Sequence, residues 1–333
     1  MCHKTSLRVL YAGTPAIAVP CLNVLSDMEL KGEGVVLAGI LTKADRPRRH
    51  GQPEPSDISA AAARLDATRK ESGLSPIVQL KSEKLDRRAR EEVAALSPDL
   101  LVSFAYGRIF GPRFLALFPL GGVNIHPSLL PKYRGASPIP AVILAGEKKT
   151  GVCIQGLAAE MDAGDIIAEA SFDLCGRETT GSLTEASAKM AAHLLGRLLR
   201  DFDHLTARPQ EGEAVYCHEI KKEDGLIDWT KSAAKIDAQI RAYTPWPLSY
   251  TCRGSDTLII LEAEPLDAPP VIADAPEAAA PGTVLGVDKT RGILIQTGDG
   301  ILAVSRLQWR TKKALDWKAF CNGERNFLNS NLS

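Results

Sequence analysis

No run of 18 apolar residues occurs in this 333-residue chain, so no membrane span is expected. Cysteine is sparse and scattered. The seven residues Cys2, Cys21, Cys153, Cys175, Cys217, Cys252 and Cys321 nowhere fall at Cys-x-x-Cys spacing. That argues against a zinc site or a redox pair and suits buried small hydrophobes in a reducing cytosol. A glycine-rich phosphate loop is also missing. Gly13-Thr14-Pro15 is neither G-x-G-x-x-G nor a P-loop, so no dinucleotide or ATP is expected. No charge of one sign prevails: 40 Lys and Arg balance 40 Asp and Glu, so any nucleic-acid surface has to be a local patch. Only Met1 to Ser6 precede the first core strand, which leaves no room for a secretory signal and points to the cytoplasm.

What is present is a globular composition, 45% hydrophobic and 24% charged, in a chain long enough for two domains. Leu7–Ala12 reads as a buried strand, turned by Gly13-Thr14-Pro15 into a helix through about Leu25. Further strands are predicted at Val35–Leu41, Pro76–Leu80, Leu100–Ala105 and Val123–His126, with a helix at Arg87–Leu96. This alternation implies an α/β fold with an open, parallel, doubly wound (Rossmann-like) sheet. Val152–Ile154 and Ile166–Phe172 look like a strand pair flanking a loop. Leu183, Ala186, Met190, Leu194 and Leu198 space a closing helix over 182–203.

A polar, aperiodic stretch at 203–214 reads as a linker, giving domains at 1–202 and 215–333. In the second, a brief helix at Ile236–Ala242 precedes short strands near 247–251, 258–263, 282–287, 293–297 and 301–307, the pattern of a small β-barrel. Ala268–Pro281, rich in Ala and Pro, is expected to be a disordered excursion.

The most informative run is Asn124-Ile125-His126-Pro127-Ser128-Leu129-Leu130-Pro131-Lys132-Tyr133-Arg134-Gly135. Residues two apart in extended chain face one side, so Asn124 and His126 can enter one pocket, and the Pro-bounded segment cannot continue the strand. An amide donor beside a titratable ring suits acyl or formyl transfer, where one group holds a developing oxyanion and another moves protons. Taken alone, His126 reads equally as a satisfied core histidine. Asp162 lies in the Gly-containing loop Glu160-Met161-Asp162-Ala163-Gly164-Asp165; from spacing alone it is an ordinary turn aspartate. Two basic clusters remain open between a solvated face and phosphate contacts. One gathers Lys43, Arg46, Arg48, Arg49 and His50, with Asp45 opposing. The other gathers Arg306, Arg310, Lys312, Lys313, Lys318 and Arg325, with Asp316 and Glu324 opposing and Trp309 and Trp317 nearby.

Taken together, these segments closely resemble the methionyl-tRNA formyltransferase family. The resemblance rests on Ala12-Gly13-Thr14-Pro15, Asp45-Arg46-Pro47, Ala105-Tyr106-Gly107, the Asn124–Gly135 run and Met161-Asp162-Ala163-Gly164-Asp165. In the second half it rests on Lys222-Glu223-Asp224-Gly225-Leu226-Ile227-Asp228-Trp229, Thr244-Pro245-Trp246-Pro247 and Asn322-Gly323-Glu324-Arg325. It implies an N-terminal formyltransferase domain, a C-terminal OB-like β-barrel that holds tRNA, and transfer from 10-formyltetrahydrofolate to initiator methionyl-tRNA without a metal. Asn124, His126 and Asp162 then take the catalytic positions, with Asp162 raising the histidine's proton affinity. Ser128, Leu129, Leu130 and Pro131 take the folate segment, and the basic residues Lys43, Arg46, Arg48, Arg49, Arg306, Arg310, Lys312 and Lys313 lie toward tRNA. A monomer is expected. The alternatives are a formyltransferase for a sugar-nucleotide amine and a catalytically silent tRNA-binding module. The sequence departs from the family where an Asp and a Gly usually precede the catalytic aspartate; here Ala158 and Glu160 stand there.

Overall fold

The computed structural model describes residues 6–47, 51, 53–266, 279–324, 326–328 and 330–333. The expectations for Arg48, Arg49 and His50, for Arg325, and for most of the 268–281 excursion lie outside the described residues. The chain forms two compact units: Met1–Pro138 with Lys149–Asp173 and Thr184–Cys217, and Ile139–Lys148 with Leu174–Leu183 and His218–Ser333.

Along the first part run β1 (Leu7–Gly13), α1 (Val19–Leu30), β2 (Val35–Thr42), α2 (Asp57–Glu71), β3 (Gln79–Lys81), α3 (Arg87–Ala95), β4 (Leu100–Phe104), α4 (Pro112–Leu115), β5 (Gly122–His126), β6 (Arg134–Gly135), α5 (Pro138–Leu144), β7 (Lys149–Gly156), β8 (Ile166–Asp173), α6 (Thr180–Arg200) and β9 (Tyr216–Cys217). The main sheet has the order β3-β2-β1-β4-β5-β7-β8. Its first five strands are parallel, as the alternation predicts, and β7 and β8 complete it antiparallel. Central β4 is buried at every position, as a strand covered on both faces must be. Helix starts are set locally: Ser56 and Asp86 accept the Ser59 and Ala89 amides at the heads of α2 and α3. α6 lays Leu194, Leu195, Leu198 and Leu199 onto the sheet core.

The rest of the chain forms α7 (Ala233–Ala242), β10 (Ser249–Arg253), β11 (Asp256–Leu266), β12 (Val284–Asp288), β13 (Gly292–Gln296), β14 (Ile301–Trp309), β15 (Leu315–Asp316) and α8 (Trp317–Gly323). The strands are antiparallel in the order β10-β11-β14-β13-β12, with β15 on β14. Residues 330–333 bridge the two edges. Val284 N donates to Ser330 O at 2.9 Å beside β12, and Ser333 exchanges backbone bonds with Cys252 of β10 at 2.7 and 2.9 Å. These bonds pair part of each edge strand, whose main-chain groups an open sheet would leave unpaired. Trp229, Ile236, Ile260, Val304, Phe320, Phe327 and Leu332 fill the interior. Trp229 is core, with its indole N–H on Thr251 Oγ1 at 2.9 Å, whereas Trp246 is 58% exposed.

Candidate active site

Asn124 and His126 stand on alternate positions of β5, where the strand is clamped between β4 and β7. The register sets Gln155 of β7 directly opposite Asn124, so the two side chains share a face. Asp162 comes to the same place from the loop between β7 and β8. Its φ of +54° lies in the left-handed region, which a short polar residue tolerates better than most. The carboxylate accepts from Gly135 N at 2.9 Å, Gln155 Nε2 at 3.0 Å and Asn124 Nδ2 at 3.3 Å. His126 Nδ1 stands 3.5 Å from Asp162 Oδ2. The three residues singled out in the sequence therefore converge on one carboxylate.

The turn after β5 completes the enclosure. Tyr133, also left-handed at φ +62°, turns its carbonyl onto His126 Nε2 at 2.9 Å, so that nitrogen donates and any added proton goes to Nδ1, beside Asp162. Burial pulls the His126 pKa below its ordinary 6.5, against the opposing pull of the Asp162 charge and the Tyr133 carbonyl. Asp162 acts on the histidine in the direction expected from the sequence, but loss of hydration outweighs it. The resting ring is neutral at pH 7.

Other nucleophile candidates are committed elsewhere. Ser128 is fully buried and donates to Lys132 O at 2.7 Å. Burial pushes the half-buried Cys217 thiol up, and its S–H lies 3.4 and 3.3 Å from the Tyr133 and Arg134 carbonyls. In the expected folate segment, Leu130 packs with Cys153 and Ile166, leaving Leu129 and Pro131 partly exposed. Among the described residues no group of three or more His, Cys, Asp or Glu is placed to hold a metal ion.

Sequence reasoning missed Gln155 and Gln210. Gln210 lies in the stretch read as a linker, yet 203–217 belongs to the first unit and β9 pairs with β6. Its Nε2 reaches Asp162 O and Gly164 O, both at 2.8 Å. A lone glutamine inside the apolar Val152-Cys153-Ile154-Gln155 run was the signal that could have found Gln155. Glu160, the departure from the family pattern, accepts from Tyr216 Oη at 2.7 Å and lies 3.7 Å from Arg134 Nη1.

Of the basic residues, Lys43 packs beside Gly107, and Arg46 is pinned by a two-bond backbone bridge to Glu54. Arg306 pairs with Glu262 across β11 at 3.2 Å, an acid that counting sequence neighbours overlooked. Lys312 lies 3.7 Å from Glu324. Arg310 and Lys313 are exposed with no ion-pair partner among the described residues.

The family model described as "Formyl transferase" matches residues 7–199, and "Formyl transferase, C-terminal domain" matches 219–325. A methionyl-tRNA formyltransferase of Treponema denticola is 46% identical over 97% of this chain and 98% of its own. Among solved structures, an N-formyltransferase of Helicobacter canadensis in complex with folinic acid and dTDP-3-aminofucose shares the fold, with TM-score 0.62, 17% identity and coverage of 90% of this chain and 98% of that one. HypX of Aquifex aeolicus, in complex with tetrahydrofolic acid, gives TM-score 0.59 at 15% identity over 98% of this chain; the chain spans about half of HypX, 49%. The first relative is similar almost end to end, and both halves match formyl transferase models. The chain belongs to the methionyl-tRNA formyltransferase family.

Proposed function

We propose that this chain transfers the formyl group of 10-formyltetrahydrofolate to the α-amine of initiator methionyl-tRNA. The observation that carries the reading is the convergence of Asn124, His126 and Asp162 within a chain similar along its whole length to the T. denticola enzyme. The donor set fits a formyl donor. Asn124 spends one N–H on Asp162 and keeps a second for an oxyanion developing on the formyl carbon. With a neutral ring beside a carboxylate, the Asp162–His126 pair is set to accept the proton the attacking amine releases and to return it to the departing N10. His126 Nε2 already serves the Tyr133 carbonyl, so the ring contributes as a positive charge formed during the reaction rather than as a direct donor. Leu129 and Pro131, with the loop backbone, offer the folate-side wall.

Mixing the enzyme and formyl donor with charged initiator tRNA, with an amino-sugar nucleotide or with neither tests the reading through release of tetrahydrofolate. Release with the tRNA alone is expected. Release with the sugar nucleotide alone would move the chain to the other substrate class.

For tRNA, the basic residues are expected to differ. Arg310→Ala and Lys313→Ala each lower affinity and flatten its salt dependence by about one unit of slope, the share of a single neutralised phosphate. Arg306→Ala and Lys312→Ala change the slope less, because Glu262 and Glu324 already offset their charge. Filter binding across a salt series measures this, and equal slopes for all four variants would remove the distinction.

A further inference from the structure

The Asp162 carboxylate sits at the end of a chain of side-chain amides whose orientation begins at an arginine. A guanidinium offers only donors. Arg134 Nε and Nη2 lie 3.1 and 2.7 Å from one end of the Gln210 amide, so that end is the oxygen. Its NH2 end then faces three acceptors: Asp162 O at 2.8 Å, Gly164 O at 2.8 Å and Gln155 Oε1 at 3.1 Å. The reverse orientation would set NH2 against the guanidinium and oxygen against three oxygens. The same logic passes onward. With Gln155 Oε1 taken by Gln210, the Gln155 N–H must point at Asp162 Oδ1, 3.0 Å away. Gln155 is 1% exposed, so no water competes for that end.

We propose that Arg134 and Gln210 are positioning residues that act on Asp162 through Gln155, fixing which end of each amide faces the next and so delivering an N–H to the carboxylate. As a claim about catalysis this rests on the formyl-transfer reading; as a claim about the Asp162–His126 pair it does not. Gln210 also holds the Asp162 loop directly, through two backbone carbonyls flanking Ala163. The head of the relay is anchored in turn. Arg134 is 13% exposed in its side chain and lies 3.7 Å from Glu160, 3.3 Å from Tyr216 Oη and over the Tyr216 ring at 5.9 Å. Glu160, which replaces the usual family residue, thus helps hold the arginine that orients the relay.

The charged and titratable groups around the Asp162–His126 pair are Cys153 of β7, opposite His126 in the register, Arg134 from β6, Glu160 from the Asp162 loop, and Tyr216 and Cys217 from β9. Substitution at Gln155 or Gln210 leaves all of them in place. The experiment follows the pair in the substrate-free protein, through the ring 15N shifts of His126 across pH, assigned by their disappearance in His126→Ala. Gln155→Met removes one N–H from the carboxylate and is expected to move the pair's titration midpoint up by about one pH unit. Gln210→Met frees the Gln155 amide to turn over and moves the midpoint the same way, by less. If Gln210 works through Gln155, the double variant matches Gln155→Met alone rather than the sum. Gln210→Leu removes the amide without adding a charge, so it repeats the shift should the Met variant fold poorly. An unmoved midpoint in Gln210→Met and Gln210→Leu, or strictly additive shifts, overturns the relay. Because no substrate is present, a wild-type protein inactive in formyl transfer would refute the function while leaving this result to stand.

Discussion

Asp162→Asn lowers kcat for formyl transfer by about 10²-fold or more, with the chain still folded. The asparagine tolerates the left-handed backbone at this position, so the main chain is not the obstacle. Hydrogen bonding is. Asp162 accepts from Gly135 on one oxygen and from Gln155 and Asn124 on the other. An amide nitrogen placed on either side meets N–H donors, and one or more of them is orphaned, at a cost of about 1–3 kcal/mol for a buried group. The anion that would stabilise a protonated His126 is removed as well. Steady-state kinetics with thermal melts separates the two effects, and near-wild-type kcat would sink the proton-transfer role. His126→Ala and Asn124→Ala are expected to cost a comparable factor, each removing a different part of transition-state stabilisation.

The wild-type pH profile follows from the same geometry. Burial lowers the His126 pKa beneath 6.5, so the neutral, proton-accepting form persists to more acid pH than in a free imidazole. In kcat/KM, which reports the groups of the free enzyme, the histidine's acid limb is expected to fall on the acid side of pH 6.5. An acid limb centred above 6.5 would mean that the resting ring is a cation.

The candidate trio was legible because strand periodicity and a proline stop are local facts, readable from Asn124, His126 and Pro127 alone, and because the resemblance supplied Asp162. Their partners were not, because each depends on a pairing. Gln155 matters only once β7 lies antiparallel to β5 and sets it opposite Asn124. Gln210 matters only once β9 pairs with β6 and draws an aperiodic stretch back to the site. That the first five strands run parallel followed from alternation, whereas their order did not, and nothing in Ile166–Phe172 announced an antiparallel edge. α2 went unseen because its inward face is made of small residues, Ser59, Ala61 and Ala62 around Ile58, which give little amphipathic contrast. The bridging of the sheet edges by 330–333 left no trace in the sequence, since those residues have no strand pattern and reach the edges through main-chain bonds.

The chain's tightest backbone approach near the site gives the second large effect. Gly156, at the end of β7, and Gly164, just before β8, bracket the Asp162 loop. A Cβ at Gly156 meets nothing within 4 Å, while a Cβ at Gly164 would run into the Gly156 carbonyl oxygen and carbon. Gly156→Ala is therefore expected to be nearly silent. Gly164→Ala cannot be absorbed by a rotamer change, because the obstacle is main chain, and the loop has to move away from β7. Gly164 O is one of the two carbonyls held by Gln210, and Asp162 O is the other, so the displacement breaks the hold on Asp162 itself. A shift of about 1 Å in a reacting group costs on the order of 10²-fold in rate. Gly164→Ala is accordingly expected to lower kcat by about that factor while Gly156→Ala keeps wild-type turnover. Equal activity in the two variants would show that Asp162 does not depend, for its part in turnover, on this close approach of the two strands.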